Sequence, residues 1–305
     1  MGAGAVGSYY GALLARAGYE VTLVARGEHL EALRMAGRVA VVEPDGQRWW
    51  AEVRATDRPH PTDLVVIATK WHQTPDAAAA LAPTIDPKTP VVILQNGVDH
   101  VARTRDVLGE GRTLGALAFV GCRIDKPGVV IHQAEGRVTI GDPAGGVTPL
   151  LEGVADTLRT AWELIVVDDI EHAQWHKLLW NAGFNALCAV TGATAGEALH
   201  HPASAGLVRE AMDEVIAVAA ARGITLTEDD LAEMLHPYPE LDSYRPSTAQ
   251  DLERGRPLER AAIGGFVTEE GARLGVPTPV NRVLDELLQL QEARALRASV
   301  IRGRT

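Results

Sequence analysis

Met1-Gly2-Ala3-Gly4-Ala5-Val6-Gly7-Ser8 is a G-x-G-x-x-G stretch, the loop that lays a dinucleotide pyrophosphate against the start of a helix. Gly2 allows the tight turn, Gly4 lets the backbone approach the phosphates, and Gly7 lets helix and strand pack closely. Ala5 and Val6 complete the loop as backbone donors. The residues after the loop agree with this reading: Tyr9 to Ala17 has helical character, Gly18 stops it, and Tyr19 to Ala25 reads as a strand. The motif ordinarily comes after a buried strand, and none precedes Gly2 here. The expectation is therefore that Met1 is not the natural start, and that a few further residues form the first, central strand of the sheet.

Outward from the loop, the first half alternates strand and helix. Strand candidates are Tyr19–Ala25, Asp63–Thr69, Pro90–Gln95 and Thr113–Val120, separated by helical stretches at Gly27–Ala36, His72–Leu81 and Val98–Leu108. That order predicts an α/β domain, a Rossmann-type doubly wound parallel sheet with helices on both faces. Val39–Glu43 and Arg48–Arg54 flank Pro44-Asp45-Gly46 as an inserted hairpin. Val129–His132, Arg137–Gly141 and Leu164–Val167 read as late strands. From Asp168 onward only helical segments remain, the longest near His172–Val190, Ala203–Arg222, Leu258–Leu274 and Pro279–Ala298. The expected domains are 1–167, which binds NADP, and 168–305, all-α and carrying substrate and catalysis, with chemistry in a cleft between them.

Composition narrows the partners. The 305 residues are 46% hydrophobic and 23% charged, with a formal net charge of −11. An acidic chain argues against nucleic acid or an anionic membrane, both of which attract basic surfaces. No apolar run reaches the roughly 18 residues of a membrane span, and no signal peptide is visible. Cys122 and Cys188 stand alone without metal-ligand spacing, which predicts buried thiols, a reducing compartment and no bound metal. A cytoplasmic protein is the default. The oligomeric state is left open, with the long C-terminal helices available to pair in a homodimer.

Cofactor preference is read at the end of the second strand. An acidic residue there accepts from the ribose of NAD, whereas an arginine accommodates the 2′-phosphate of NADP. The sequence gives Val24-Ala25-Arg26-Gly27, so Arg26 favours NADP(H). Lys70 and Asn96 close two further strands, at the carboxyl ends where ligands bind. Asn96, in Gln95-Asn96-Gly97, either hydrogen-bonds the ribose or nicotinamide or simply makes an Asn-Gly turn.

The strongest catalytic signal lies in the second half. Lys177, Asn181 and Asn185 are spaced i, i+4, i+8 and share one helical face. No charge occurs from Leu178 to Gly196, so the helix belongs in the interior. Unpaired buried amides cost about 1–3 kcal/mol each and an ammonium more. Such a stripe lines a cleft or meets internal partners. Ser247 comes after Pro246 at a helix start and Glu259 comes after Pro257 at another. Taken alone they read as an N-cap and a first-turn carboxylate.

Together these residues resemble the ketopantoate reductase family, the 2-dehydropantoate 2-reductases, across essentially the whole chain. The resemblance runs through the glycine loop, Ala25-Arg26-Gly27-Glu28-His29-Leu30, Ala68-Thr69-Lys70, Gln95-Asn96-Gly97, Lys177-Leu-Leu-Trp-Asn181-Ala-x-x-Asn185, Pro246-Ser247-Thr-Ala-Gln-Asp251 and Pro257-Leu258-Glu259. It implies NADPH-dependent reduction of 2-dehydropantoate to pantoate, for pantothenate and coenzyme A synthesis. It makes Lys177 the general acid and Glu259 a group contacting that lysine or the substrate. Asn181, Asn185 and Ser247 become substrate ligands, and Asn96 lies between cofactor and substrate. The sequence departs from the family after Glu259, where Arg260-Ala-Ala-Ile-Gly264-Gly265 replaces an acidic residue and Asn-Gly. That departure bears on the exact substrate and not on the reaction type; the alternatives are reduction of another small 2-oxo acid on the same fold and, from another class, a non-catalytic NADP(H)-binding protein.

Overall fold

A computed structural model of the chain describes residues 1–237 and 239–302 and divides it into two compact units, Met1–Glu171 and His172–Thr305. In the first, α1 (Ala5–Arg16) leads to β1 (Thr22–Val24) and α2 (Gly27–Ala36). The last ends on Gly37, left-handed at φ 62°, as a helix C-terminus favours. The expected hairpin is present as β2 (Arg38–Val42) and β3 (Arg48–Glu52), antiparallel with Val42 opposite Arg48. Residues beyond it form β4 (Arg54–Thr56), which leaves the hairpin and pairs in parallel with β1. Then come β5 (Val65–Ile67), α3 (Thr74–Leu81), β6 (Val91–Leu94), α4 (His100–Leu108) and β7 (Thr113–Lys126). The unit closes with β8 (Val129–Gly141), α5 (Pro149–Arg159) and β9 (Leu164–Val166).

Strand order in the larger sheet is β3-β2-β8-β7-β6-β5, with β9 beside β8. Its α/β character is as expected, but the sheet is mixed rather than parallel throughout. β5, β6 and β7 are parallel, whereas β7 and β8 form a long antiparallel pair. Only Pro127 and Gly128 (φ 81°) separate those two strands, too few for a crossover. β6 is buried at every position, which is what a Val-Val-Ile-Leu run needs when helices cover both faces.

The two late strands expected at Val129–His132 and Arg137–Gly141 are one strand, kinked at Glu135 (φ 58°) and Gly136 (φ 148°). Side chains hold the kink. His132 Nε2 lies 2.5 Å from the Glu135 carbonyl, and His132 Nδ1 lies 2.6 Å from Glu43 and 3.2 Å from Tyr9 Oη. One half of β8 then pairs with β2 and the other with β9.

β1 and β4 form a sheet of their own, and β5 is the edge of the larger one. The backbone of Met1–Ala3 runs between them. Gly2 and Ala3 N–H donate to the Val24 carbonyl (3.1 and 2.9 Å), the Met1 amine donates to Val66 (2.7 Å), and Ala68 N–H donates to Met1 (2.9 Å).

Among its described residues the second unit is helical. α6 (Ile170–Trp180) runs through a π turn (Asn181–Asn185) into α7 (Ala186–Thr191). Next come α8 (Ala195–His200), α9 (Pro202–Ala221), α10 (Glu228–Met234), α11 (Ser247–Glu253), α12 (Gly264–Leu274) and α13 (Pro279–Arg302). The single helix expected over Leu258–Leu274 is broken: a 3-10 turn at Arg260–Ala262 gives way to Ile263 at φ −126°, ψ −111°. Two consecutive glycines, weak helix formers, sit at that break. Among the described residues no helix is long and apolar enough to cross a membrane.

Candidate active site

The glycine loop is shaped by contacts that differ at each glycine. Gly2 has φ 89°, and a Cβ there would lie 2.7 Å from the Thr69 backbone nitrogen. A Cβ at Gly7 would collide with the Gly2 carbonyl oxygen. Gly4 faces open space, with nothing within 4 Å of where its Cβ would be. It caps α1 without a side-chain hydrogen bond, and no acidic residue occupies the first turn. The leading N–H groups of a helix lack intrahelical partners and carry partial positive charge. The loop thus fits a dinucleotide pyrophosphate, with open space at Gly4 in front of the first turn of α1.

Around it, Arg26 is exposed at the end of β1 and starts α2. Lys70 lies just beyond β5 and is half-buried. Asn96 lies just beyond β6, half-buried, with Gly97 at φ 98° completing the turn. Gln95, which sequence reasoning passed over, organises this edge. Its amide donates to the Thr69 carbonyl (2.6 Å) and Thr69 Oγ1 (2.9 Å), and its Oε1 accepts from Thr74 (3.0 Å). It ties together the loops that carry Lys70 and Asn96. A buried glutamine next to an Asn-Gly pair was the available signal.

In the helical unit, Lys177, Asn181 and Asn185 are all buried, and Asn185 Nδ2 lies 3.4 Å from Asn181 Oδ1. Four residues overshoot an α-helical turn of about 3.6, so such a stripe drifts around an α-helix. The wider π turn offsets that drift, and π turns recur at functional sites. Gly183 makes the turn's packing possible, since a Cβ there would lie 2.6 Å from Met212 Cε and 3.2 Å from Val208 Cγ1. Burial lowers the Lys177 ammonium from its usual value to about 8, against which the Glu259 carboxylate raises it. The structure therefore brings Glu259 within electrostatic reach of Lys177.

Ser247 differs from the buried stripe in exposure. It is exposed at the first position of α11 and makes no capping bond, Pro246 being the cap. Its neighbour Thr248 is buried instead and lines a small pocket with Asn185, Ala186, Arg260, Ile263, Gly264, Asp285 and Leu288. Sequence reading had no periodic signal for Thr248 within so short a helix. Among the described residues no cluster of His, Cys, Asp or Glu is suited to a metal ion.

An α/β unit with a glycine-lined phosphate loop, joined to a helical unit with a buried lysine, defines the class of nicotinamide-dependent oxidoreductases. Comparison with known proteins gives the family. Residues 1–145 match the family described as Ketopantoate reductase PanE/ApbA, and residues 169–292 match its C-terminal counterpart. A 2-dehydropantoate 2-reductase of Archaeoglobus fulgidus is 33% identical over 95% of both chains. The crystal structure of a PanE/ApbA family ketopantoate reductase from Ralstonia eutropha JMP134 superposes with a TM-score of 0.89 at 33% identity, covering 97% of this chain and 98% of that one. A ternary structure of D-mandelate dehydrogenase with NADH and anilino(oxo)acetate shares the fold, at TM-score 0.91 and 24% identity over 96% and 97% of the two chains. The chain belongs to the ketopantoate reductase family, an oxidoreductase family.

Proposed function

We propose that the chain reduces 2-dehydropantoate to pantoate with NADPH, the step that supplies pantothenate synthesis. The observation that carries this reading is Lys177, a buried cation heading an uncharged stretch, with a carboxylate from a distant loop holding its charge. Bound NADPH supplies the hydride for the ketone carbon. Residues 1–167 hold that cofactor through Gly2, Gly4, Ala5, Val6 and Gly7 at the pyrophosphate, Arg26 at the 2′-phosphate, and Lys70 and Asn96 near the sugar and nicotinamide. Residues 168–305 supply the proton. As the ketone becomes an alcohol, negative charge grows on its oxygen. Lys177, charged below about pH 8, stabilises it and gives up a proton, which solvent later restores. Glu259 keeps the lysine charged before the step. Asn181 and Asn185 offer amides to the substrate's carboxylate and hydroxyl groups, and Ser247 reaches it from the start of α11.

The test is NADPH consumption with 2-dehydropantoate beside other branched 2-oxo acids. Preferential turnover of 2-dehydropantoate supports the reading; preference for another 2-oxo acid moves the substrate and leaves the chemistry. The pocket beside Asn185, lined by Gly264 where the family resemblance implies asparagine, makes that second outcome the rival. Cofactor binding without turnover of any ketone would make the protein a nucleotide-binding module. We place the reaction in the cytoplasm, which the two free thiols Cys122 and Cys188 support. We also propose a homodimer, through the exposed stripe of Val283, Leu287 and Leu290 on α13.

A further inference from the structure

Glu259 lies in a short irregular stretch between α11 and α12, and the residues on either side of it are fastened to one helix. Glu292 of α13 accepts from the Leu258 N–H through Oε1 (2.7 Å) and from Arg260 Nε through Oε2 (3.2 Å). Asp285, two turns earlier on the same face, takes Arg260 Nη1 on both carboxylate oxygens (2.7 and 2.6 Å). These three side chains are only 21%, 19% and 18% exposed for Arg260, Asp285 and Glu292. Gly265 lets α12 close on the same loop, since a Cβ there would lie 2.9 Å from the Arg260 carbonyl oxygen. Arg260 stands at the very place where the sequence departs from its family.

We propose that Asp285 and Glu292 are positioning residues, acting through Arg260 and the Leu258 N–H to hold Glu259 against Lys177. The proposal rests on Lys177 being the proton donor. Coulombic attraction falls with distance and with solvent entry. A loop freed from α13 lets the Glu259 carboxylate retreat, and burial then lowers Lys177 further. Along the stripe itself Gln174, Asn181 and Asn185 are neutral, and His176 lies 3.6 Å from both Asp230 and Glu233.

The experiment uses Glu292→Gln and Asp285→Asn, near-isosteric changes that remove charge, with kcat and KM followed from neutral to alkaline pH. The limb where activity falls with rising pH should move down by about half a unit to one unit. Near pH 8 that lowers kcat about two- to fivefold, with KM changed less than about twofold. In a Glu259→Gln background the same changes should add nothing further. Glu228→Gln, which breaks the exposed pair with Arg209, should lower neither kcat nor the limb. An unmoved limb in both variants, or full effects persisting without Glu259, overturns the proposal even if the melting temperature drops. If one variant folds poorly, Arg260→Lys, which keeps the charge and loses the fork, carries the same test. Lys177→Ala separates the two levels. An inactive Lys177→Ala beside an unmoved limb refutes only the positioning role, whereas an active one refutes the proton donor and this proposal with it.

Discussion

Lys177 shows a conflict between stability and chemistry at the scale of one residue. Its folded value near 8 lies below the ordinary lysine value of 10.5. The unfolded chain therefore binds more protons between those two values, and the burial penalty is fully present below about pH 8. It fades as pH rises toward 10.5. Lys177→Met should raise the melting temperature at neutral pH, with a gain on the order of 3 kcal/mol as an upper bound. The gain should shrink above pH 8, while turnover falls about 100-fold or more. Calorimetry across pH beside NADPH turnover checks both signs; a destabilised variant at neutral pH would contradict the penalty. In the parent enzyme, kcat/KM should fall as pH rises through about 8, because the donor must be charged. Arg26 makes a second residue-scale case. It is exposed, so its removal leaves the fold alone, and Arg26→Ala should weaken NADPH about tenfold to a hundredfold with little change for NADH. Equal losses for both cofactors would make it a structural residue.

At the scale of elements, three glycines in one loop do three different jobs. Gly7→Ala drives a methyl into the Gly2 carbonyl and should cost about 1–3 kcal/mol of stability. Gly4→Ala meets nothing in the protein and should fold and melt as the parent does. It should still weaken NADPH about tenfold or more, since its methyl enters the proposed phosphate cradle. Thermal melts and cofactor titrations on the two variants separate packing from binding, and unchanged affinity in Gly4→Ala would move the phosphates elsewhere. Much of this level was legible from the sequence: α2 spans the expected Gly27–Ala36, and the Pro-Asp-Gly hairpin forms. The π turn was not. Nothing in Asn181-Ala-Gly-Phe-Asn185 distinguishes it from an α-helix by period, and packing of Gly183 on Met212 and Val208 accompanies it. The break before α12 escaped for the same reason, because an Ile263-Gly264-Gly265 step reads equally as weak helix.

Across the whole molecule, net charge and an exposed apolar stripe pull in opposite directions. A charge of −11 keeps copies apart at long range, and salt screens it. Val283, Leu287 and Leu290 are 50%, 43% and 59% exposed at spacings that place them on one helical face. A dimer through that face should disperse on Leu287→Glu and tighten with added salt. Light scattering on both proteins decides; a monomeric parent at micromolar concentration would sink the dimer.

The sequence by itself determined the alternation of strand and helix, the switch to an all-helical second half, and the glycine loop. All three arise from local periodicity and backbone freedom, which neighbouring residues carry. It also presented the Lys177 stripe, because an uncharged stretch headed by one lysine is visible without coordinates. Tertiary structure alone decided the mixed sheet, the fusion of two strands into β8, and the burial of Thr248 beside an exposed Ser247. It set Glu259 near Lys177, a relation that only the family resemblance had implied, and it alone put Asp285 and Glu292 behind the loop that carries Glu259. Those relations join residues far apart in sequence, and their energies depend on burial and distance, quantities that exist only once the chain has folded.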